Sequence, residues 1–211
     1  MKHVPKIILL LCGTALLAMP VCSRPPEAGR DAKHSFDVQD PAARKPAPQF
    51  GGRCVQGDCL NGTGTFMQPN GSKYTGSFRN GMPNGRGTVQ MANGDAYSGE
   101  WLDDRMHGRG VYTFGPGSPS AGDRYDGEWQ NDMMHGKGTY SFGTKSQFAG
   151  DRFVGDYKNG KKNGKGTYSW ANGSRYTGDW KNDSFHGTGT YSGNDGKVLQ
   201  GRWENDTYLG K

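Results

Sequence analysis

The feature that most limits what this chain can become is a spacing. "YSGEWLDDRMHGRGVYTF" (Tyr97–Phe114) returns as "YDGEWQNDMMHGKGTYSF" (Tyr125–Phe142), with Tyr, Gly, Trp, His-Gly and a Gly-x-aromatic step at the same offsets. Aligned on their first residue, six units start at Tyr74, Tyr97, Tyr125, Phe153, Tyr176 and Leu199, at intervals of 23, 28, 28, 23 and 23 residues. A fixed period of this length marks a repeat architecture, in which each unit buries surface against its neighbours. A degenerate opening half-unit, "CVQGDCLNGTGTF", precedes them, and a half-unit, "LQGRWENDTYLGK", ends the sequence.

Each unit reads as a β-hairpin. In "YSGEW", Tyr97, Gly99 and Trp101 alternate, so a strand puts them on one face, and "GRGVYTF" does the same with Gly108, Gly110, Tyr112 and Phe114. With Gly99 opposite Gly110, Tyr97 faces Tyr112 and Trp101 lies over Gly108. The glycines make hollows and the rings fill them, which explains Gly inside strands, where it normally costs stability. The polar run "LDDRMH" supplies the turn, and Asn-Gly in "PNGSKY", "ANGDAY" and "ANGSRY" supplies the links. The expected fold is all-β, an elongated antiparallel meander in a single sheet of about 60 Å. The repeat core is then Tyr74, Gly76, Phe78, Tyr97, Gly99, Trp101, Tyr125, Gly127, Trp129, Phe153, Gly155, Tyr157, Tyr176, Gly178, Trp180 and Trp203.

These units resemble MORN repeats, whose pattern is close to Y-x-G-x-W, a turn, then H-G-x-G-x-Y. The resemblance covers about residues 54–211. It departs at Asn84 and Asn163, which replace His, and at Leu199, which replaces the first aromatic. It implies a binding or scaffolding module with two ligand classes, proteins and phospholipid head groups. It also implies that any catalysis resides in a separate domain.

Composition agrees with a thin, ring-packed sheet. The 36 glycines and 32% hydrophobic content leave few aliphatic residues after the first 20, so aromatics do the packing. The net charge of +6 is split evenly, +3 in residues 1–49 and +3 in residues 50–211. The repeats are thus nearly balanced, and no cationic face of the kind nucleic acid requires is evident.

The recurring polar residues lack the arrangement that chemistry needs. His107, His135 and His186 share one turn position, but neighbouring units hold them about 10 Å apart, too far for a shared metal. No Ser or Cys recurs beside them as a nucleophile. They read as turn-packing residues, and no catalytic residue, metal or cofactor is expected. In the register above, Glu100 faces Arg109, Glu128 faces Lys137 and Asp156 faces Lys165, cross-strand pairs that neutralise the ladder. Arg86 has Ser77 instead of an acid. A local basic patch for anionic head groups is expected at Arg86 and around Lys158, Lys161, Lys162 and Lys165. The row Phe78, Trp101, Trp129, Tyr157, Trp180, Trp203 is either core or, if exposed, a platform for sugars.

Two features exceed the needs of the repeat. The insertions "GPGSPSAGD" and "GTKSQFAGD" create the 28-residue intervals, fall at the same link and are expected to project side by side. Residues 115–122 and 143–150, with Ser118, Lys145 and Phe148, are the candidate partner loops. The last strand offers an unpaired edge, through which a homodimer can form.

The N-terminal region is different in kind. Residues 1–23 read as a secretory signal, with Lys2 and Lys6 before the apolar run Ile7–Met19. Cys22 is a lipidation candidate on a loose lipobox match, the alternative being cleavage after Ser23. Residues 24–49 carry five of the 11 prolines and read as a disordered tether. Cys54 and Cys59 remain as an even pair in an oxidising compartment, predicting a disulfide that staples the first unit of the 50–211 domain. The overall expectation is an exported, non-catalytic module of the cell envelope with a protein partner.

Overall fold

The computed structural model describes residues 51–211. The signal segment, Cys22 and the tether lie outside the described residues. Seven consecutive hairpins form one open antiparallel sheet, with each strand bonded only to its sequence neighbours. The hairpins are β1 (Arg53–Gly57) with β2 (Thr63–Met67), β3 (Lys73–Arg79) with β4 (Met82–Gln90), and β5 (Ala96–Leu102) with β6 (Arg105–Thr113). Then follow β7 (Arg124–Gln130) with β8 (Met133–Ser141), and β9 (Arg152–Lys158) with β10 (Lys161–Ser169). The last are β11 (Arg175–Lys181) with β12 (Ser184–Ser192), and β13 (Val198–Glu204) with β14 (Thr207–Gly210). There is no helix among the described residues. Cys54 and Cys59 form a disulfide beside β1.

The central register is the expected one. Gly99 pairs with Gly110 and Tyr97 with Tyr112. A Cβ on Gly110 would lie 2.3 Å from the Tyr97 hydroxyl, and one on Gly99 would lie 2.5 Å from the Gly110 Cα. Only glycine lets the two backbones and the ring tip meet there. The hollow is thus filled by the tyrosine of its own hairpin.

The tryptophan is placed differently from the sequence expectation. Gly108 and Arg109 form a bulge, so that Glu100 pairs with His107 and Trp101 with Met106. Trp101 does not lie over Gly108. It reaches the preceding hairpin, where it stands opposite Gly85 and donates Nε1–H to the Gly87 carbonyl at 3.2 Å. Trp129, Trp180 and Trp203 repeat this bond to Gly110, Gly166 and Gly189. Rings also meet across hairpins: Tyr97 and Trp129 lie edge-to-face at 5.4 Å, as do Tyr176 and Trp203. Each such pair contributes roughly 0.5–1.5 kcal/mol beyond area burial.

The turns also differ. The two-residue hairpin turns are Asn80-Gly81, Asp103-Asp104, Asn131-Asp132, Asn159-Gly160, Asn182-Asp183 and Asn205-Asp206, all with positive φ at both positions. This is the type I′ geometry that matches strand twist. The Asn-Gly pairs of the links sit in longer loops, where Gly71 and Gly94 bond back to Gln68 and Met91.

Candidate functional site

The sheet has one apolar and one polar face. On the apolar face Phe78, Trp101, Trp129, Tyr157, Trp180 and Trp203 are 2–7% exposed. The row is core, and no ring face is open to stack on a sugar. Burial pushes the phenols of Tyr74, Tyr97, Tyr125 and Tyr176 well above their ordinary range, so they remain hydrogen-bond donors. They donate to the carbonyls of Ser77, Glu100, Glu128 and Asp179.

The polar face carries the recurring charges, paired in a way that strand alternation did not reveal. Each acid accepts the bulge amide of its own hairpin: Glu100 from Arg109 N–H at 3.2 Å, Glu128 from Lys137 at 3.2 Å, Asp156 from Lys165 at 3.0 Å, Asp179 from Thr188 at 2.9 Å. Gly108 makes room for this: its φ is +58°, and a Cβ there would lie 2.5 Å from Glu100 Oε2. The expected Glu100–Arg109, Glu128–Lys137 and Asp156–Lys165 side-chain pairs within a hairpin do not form. The cations instead face the following hairpin, with Arg86 opposite Glu100, Arg109 opposite Glu128, Lys137 opposite Asp156 and Lys165 opposite Asp179. Arg86 therefore does have an acid in register.

This ladder alternates in sign from β4 to β11, and its two halves differ. Lys137 Nζ closes on Asp156 Oδ1 at 2.9 Å, and Lys165 on Asp179. Burial works to raise the Asp156 and Asp179 carboxyls, but these ammonium and amide hydrogen bonds outweigh it and hold both below the usual range. Among the described residues neither Arg86 nor Arg109 forms an ion pair, and both are exposed. Here the face opens into a groove of about 460 Å³ over β3–β6. One wall is the hydroxyls of Thr75, Thr88 and Ser98, the other is Arg86, Glu100 and Arg109, and the floor is the backbone of Gly76, Gly87 and Gly99.

The other candidate residues are scattered. Lys162 is 6% exposed, with Nζ 5.1–5.7 Å from the ring centres of Phe153, Tyr168 and Trp180 on the apolar face. It is separated from Lys158, Lys161 and Lys165, which stay outside the core. The insertions fold back onto the preceding link: Gly117 N–H donates to the Asn93 carbonyl, and Gly115 and Gly143 pack on Gly94 and Gly122. Ser118 is buried, Phe148 packs on Phe142 at 5.5 Å, and Lys145 is exposed. The Nδ1 atoms of His107, His135 and His186 are buried and make no hydrogen bond.

Sequence reasoning missed the residues that tie the links together. Asp95, Asp123 and Asp151 are buried, and their carboxylates accept the hydroxyls of Tyr112, Tyr140 and Tyr168 at 2.6–2.8 Å. Each also accepts an amide of the next link, from Gly115, Gly143 and Ala171. The signal was present as Gly-Asp two residues before a strand aromatic, with Tyr 17 residues on from the Asp.

The MORN repeat family model matches residues 74–96, 97–118, 125–147, 153–175 and 176–198. The chain belongs to the MORN-repeat family. Its five matched repeats are the hairpins from β3 to β12 with their links. No curated protein matches the chain in sequence. Two solved structures resemble its fold distantly. One is the TCP domain of Drosophila melanogaster SAS-4 (dCPAP), in complex with a proline-rich motif of Ana2 (dSTIL). It is 15% identical with a TM-score of 0.40, covering 77% of this chain and 92% of that one. The other is the TCP10 domain of Danio rerio CPAP, in complex with a peptide of STIL. It is 13% identical with a TM-score of 0.22, covering 70% and 98%.

Proposed function

We propose that this MORN-repeat chain is a non-catalytic binding module whose partner is a protein. The observation that supports this is the polar face. The rings are spent on packing the sheet itself, and what remains is an array that repeats with the hairpins. It has one row of hydroxyls, one glycine floor and one ladder of alternating charge. Such a face suits a partner engaging several hairpins at once. Its alternating signs oppose adsorption to a uniformly anionic membrane surface. In this reading the N-terminal segment exports the chain, and residues 24–49 hold the sheet away from a membrane. Attachment is through lipid on Cys22, and cleavage after Ser23 is the alternative that leaves the chain unanchored. The open edge of β14 is available for a second copy.

The test combines two measurements on the full chain. A photocrosslinking residue placed at Thr88, Thr139 or Thr177 on the polar face is expected to give one discrete protein adduct in the native cell. Placed at Lys181, by a hairpin turn, it is expected to give none. Flotation with vesicles is expected to be insensitive to anionic lipid and to salt. Salt-sensitive flotation without any adduct would replace the protein reading with the head-group reading.

A further inference from the structure

Beside the charge ladder, on the link side of the polar face, runs a row that the ladder does not neutralise. The strand registers set Arg124, Ser141, Arg152, Ser169, Arg175 and Ser192 side by side from β7 to β12. Guanidinium and hydroxyl alternate from strand to strand, and no carboxylate stands in the row. Arg124 is tied to Asp126 of its own strand at 2.8 Å. Arg152 and Arg175 are exposed and form no ion pair among the described residues. We propose that this strip docks an extended acidic segment of the partner protein, laid across the strands, with aliphatic side chains among its carboxylates. This rests on the protein-partner reading and narrows it to one place and one chemistry.

Three observations carry it. The first is the uncompensated charge of Arg152 and Arg175, whose planar forks suit carboxylates bidentately. The second is the adjoining row. Thr139, Val154, Thr167 and Thr177 lie next to one another in register, and Val154 is 39% exposed among them. Arg152 leans over this row and donates to the Thr139 hydroxyl at 3.5 Å. The hydroxyls of Thr167 and Thr177 are bonded to each other at 3.0 Å, which leaves one donor between them. Such a row offers an aliphatic side chain a contact that a polyphosphate or a sulfated glycan would leave empty. The third is what lies beyond. The Lys137–Asp156 and Lys165–Asp179 pairs close the ladder on the far side of the threonines. A narrow chain can follow the arginines alone, whereas a flat anionic surface would also meet Asp126, Asp156 and Asp179.

The probe is fluorescein-labelled (Asp-Leu-Asp-Ser)3, titrated by anisotropy against the full chain in mild detergent at low and high salt. Saturable, salt-weakened binding is expected. Arg152→Glu/Arg175→Glu is expected to weaken it at least about tenfold, and Arg152→Lys/Arg175→Lys by a few-fold. Lys158→Glu/Lys181→Glu makes the same change of charge at the other ends of β9 and β11 and is expected to weaken it far less. (Asp-Ser)6, of equal charge, is expected to bind several-fold more weakly, and Val154→Ser is expected to remove that difference. (Lys-Leu-Lys-Ser)3 is expected not to bind. Unchanged melting temperatures establish that these exposed-residue variants fold. No saturable binding, equal losses in the two glutamate variants, or equal affinity for the two aspartate peptides would each overturn the proposal. So would binding of heparin or of phosphatidylserine vesicles that depends on Arg152 and Arg175 when the peptide does not bind. A crosslinked partner captured equally by the wild type and by Arg152→Glu/Arg175→Glu would remove this strip while leaving the protein-partner reading intact.

Discussion

The hairpins β7–β8 and β9–β10 share a frame and differ in three side chains of their apolar face. Both pair their central glycines, Gly127 with Gly138 and Gly155 with Gly166, and both bulge at the same step. In the first, Tyr125 donates its hydroxyl to the Glu128 carbonyl, Trp129 donates to the Gly110 carbonyl, and Met134 packs opposite Trp129. In the second, Phe153 has no hydroxyl, Tyr157 replaces the indole, and a buried lysine, Lys162, stands opposite it. The register survives all three changes. The fold is therefore carried by the glycine–ring contact, the bulge and the type I′ turn. The individual hydrogen bonds, each worth about 1 kcal/mol net, adjust its stability.

The largest effect expected from this comparison is at the shared element. Gly110→Ala places a Cβ against the Tyr97 ring tip and is expected to cost about 3 kcal/mol or more. Gly166→Ala places its Cβ 2.4 Å from Phe153 Cζ and 3.3 Å from the Gly155 Cα, with no hydroxyl in the way, and is expected to cost somewhat less. Chemical denaturation of both variants compares them directly, and equal costs would mean that the hydroxyl plays no part in the crowding. Next come the link carboxylates, present before both hairpins. Asp123→Ala and Asp151→Ala each remove the carboxylate that accepts a buried tyrosine hydroxyl and an amide of the next link, and each is expected to cost about 2–3 kcal/mol. A large difference between them would show that the clamp is not common to the two repeats.

Smaller changes address what sets the second hairpin apart. Lys162→Met restores the side chain of the neighbouring repeat. It is expected to change stability by no more than about 1 kcal/mol, because an unbranched side chain of similar volume keeps contact with Phe153, Tyr168 and Trp180. A larger drop in melting temperature would show that the ammonium's own interactions hold this hairpin. Phe153→Tyr adds a hydroxyl within reach of the Asp156 carbonyl and is expected to gain about 0.5–1 kcal/mol by the same assay.

Acidification gives the smallest effects, with opposite signs in the two regions. Asp156 and Asp179 lie below the ordinary value of 3.8, so their stabilisation is complete above it and is lost as pH falls through their lower folded values. Burial raises Asp132 above 3.8, so its ionised form costs stability, and that cost is relieved as pH falls through its folded value. Melting temperatures from pH 6 to 3 are expected to lose the acid-side gain in Asp132→Asn and the final loss in Asp156→Asn/Asp179→Asn.

Much of this was legible in the residues. The period, the alternation of Tyr, Gly and Trp and the Gly99–Gly110 register follow from local spacing, and the Cys54–Cys59 bridge from the even cysteine pair. Strand side chains repeat every two residues, and repeated units reinforce one another. The candidate site was only partly legible. Unbroken alternation leaves Arg86 without an acid in its own hairpin, because Ser77 stands there. The bulge at Gly108 and Arg109 breaks it, leaving the acid to cap its own hairpin's amide and the cation to face the next hairpin.

The amino-acid sequence by itself determined a meander of ring-packed hairpins, because that pattern is local and recurs in register. Only the tertiary structure decided which charges are satisfied. Pairing partners come from neighbouring hairpins, and a burial such as that of Lys162 depends on rings from β9, β10 and β11 meeting on one face. Those relations exist only once the hairpins are stacked, which is also why the open arginines of β4 and β6 and the closed lysines of β8 and β10 look alike in one dimension.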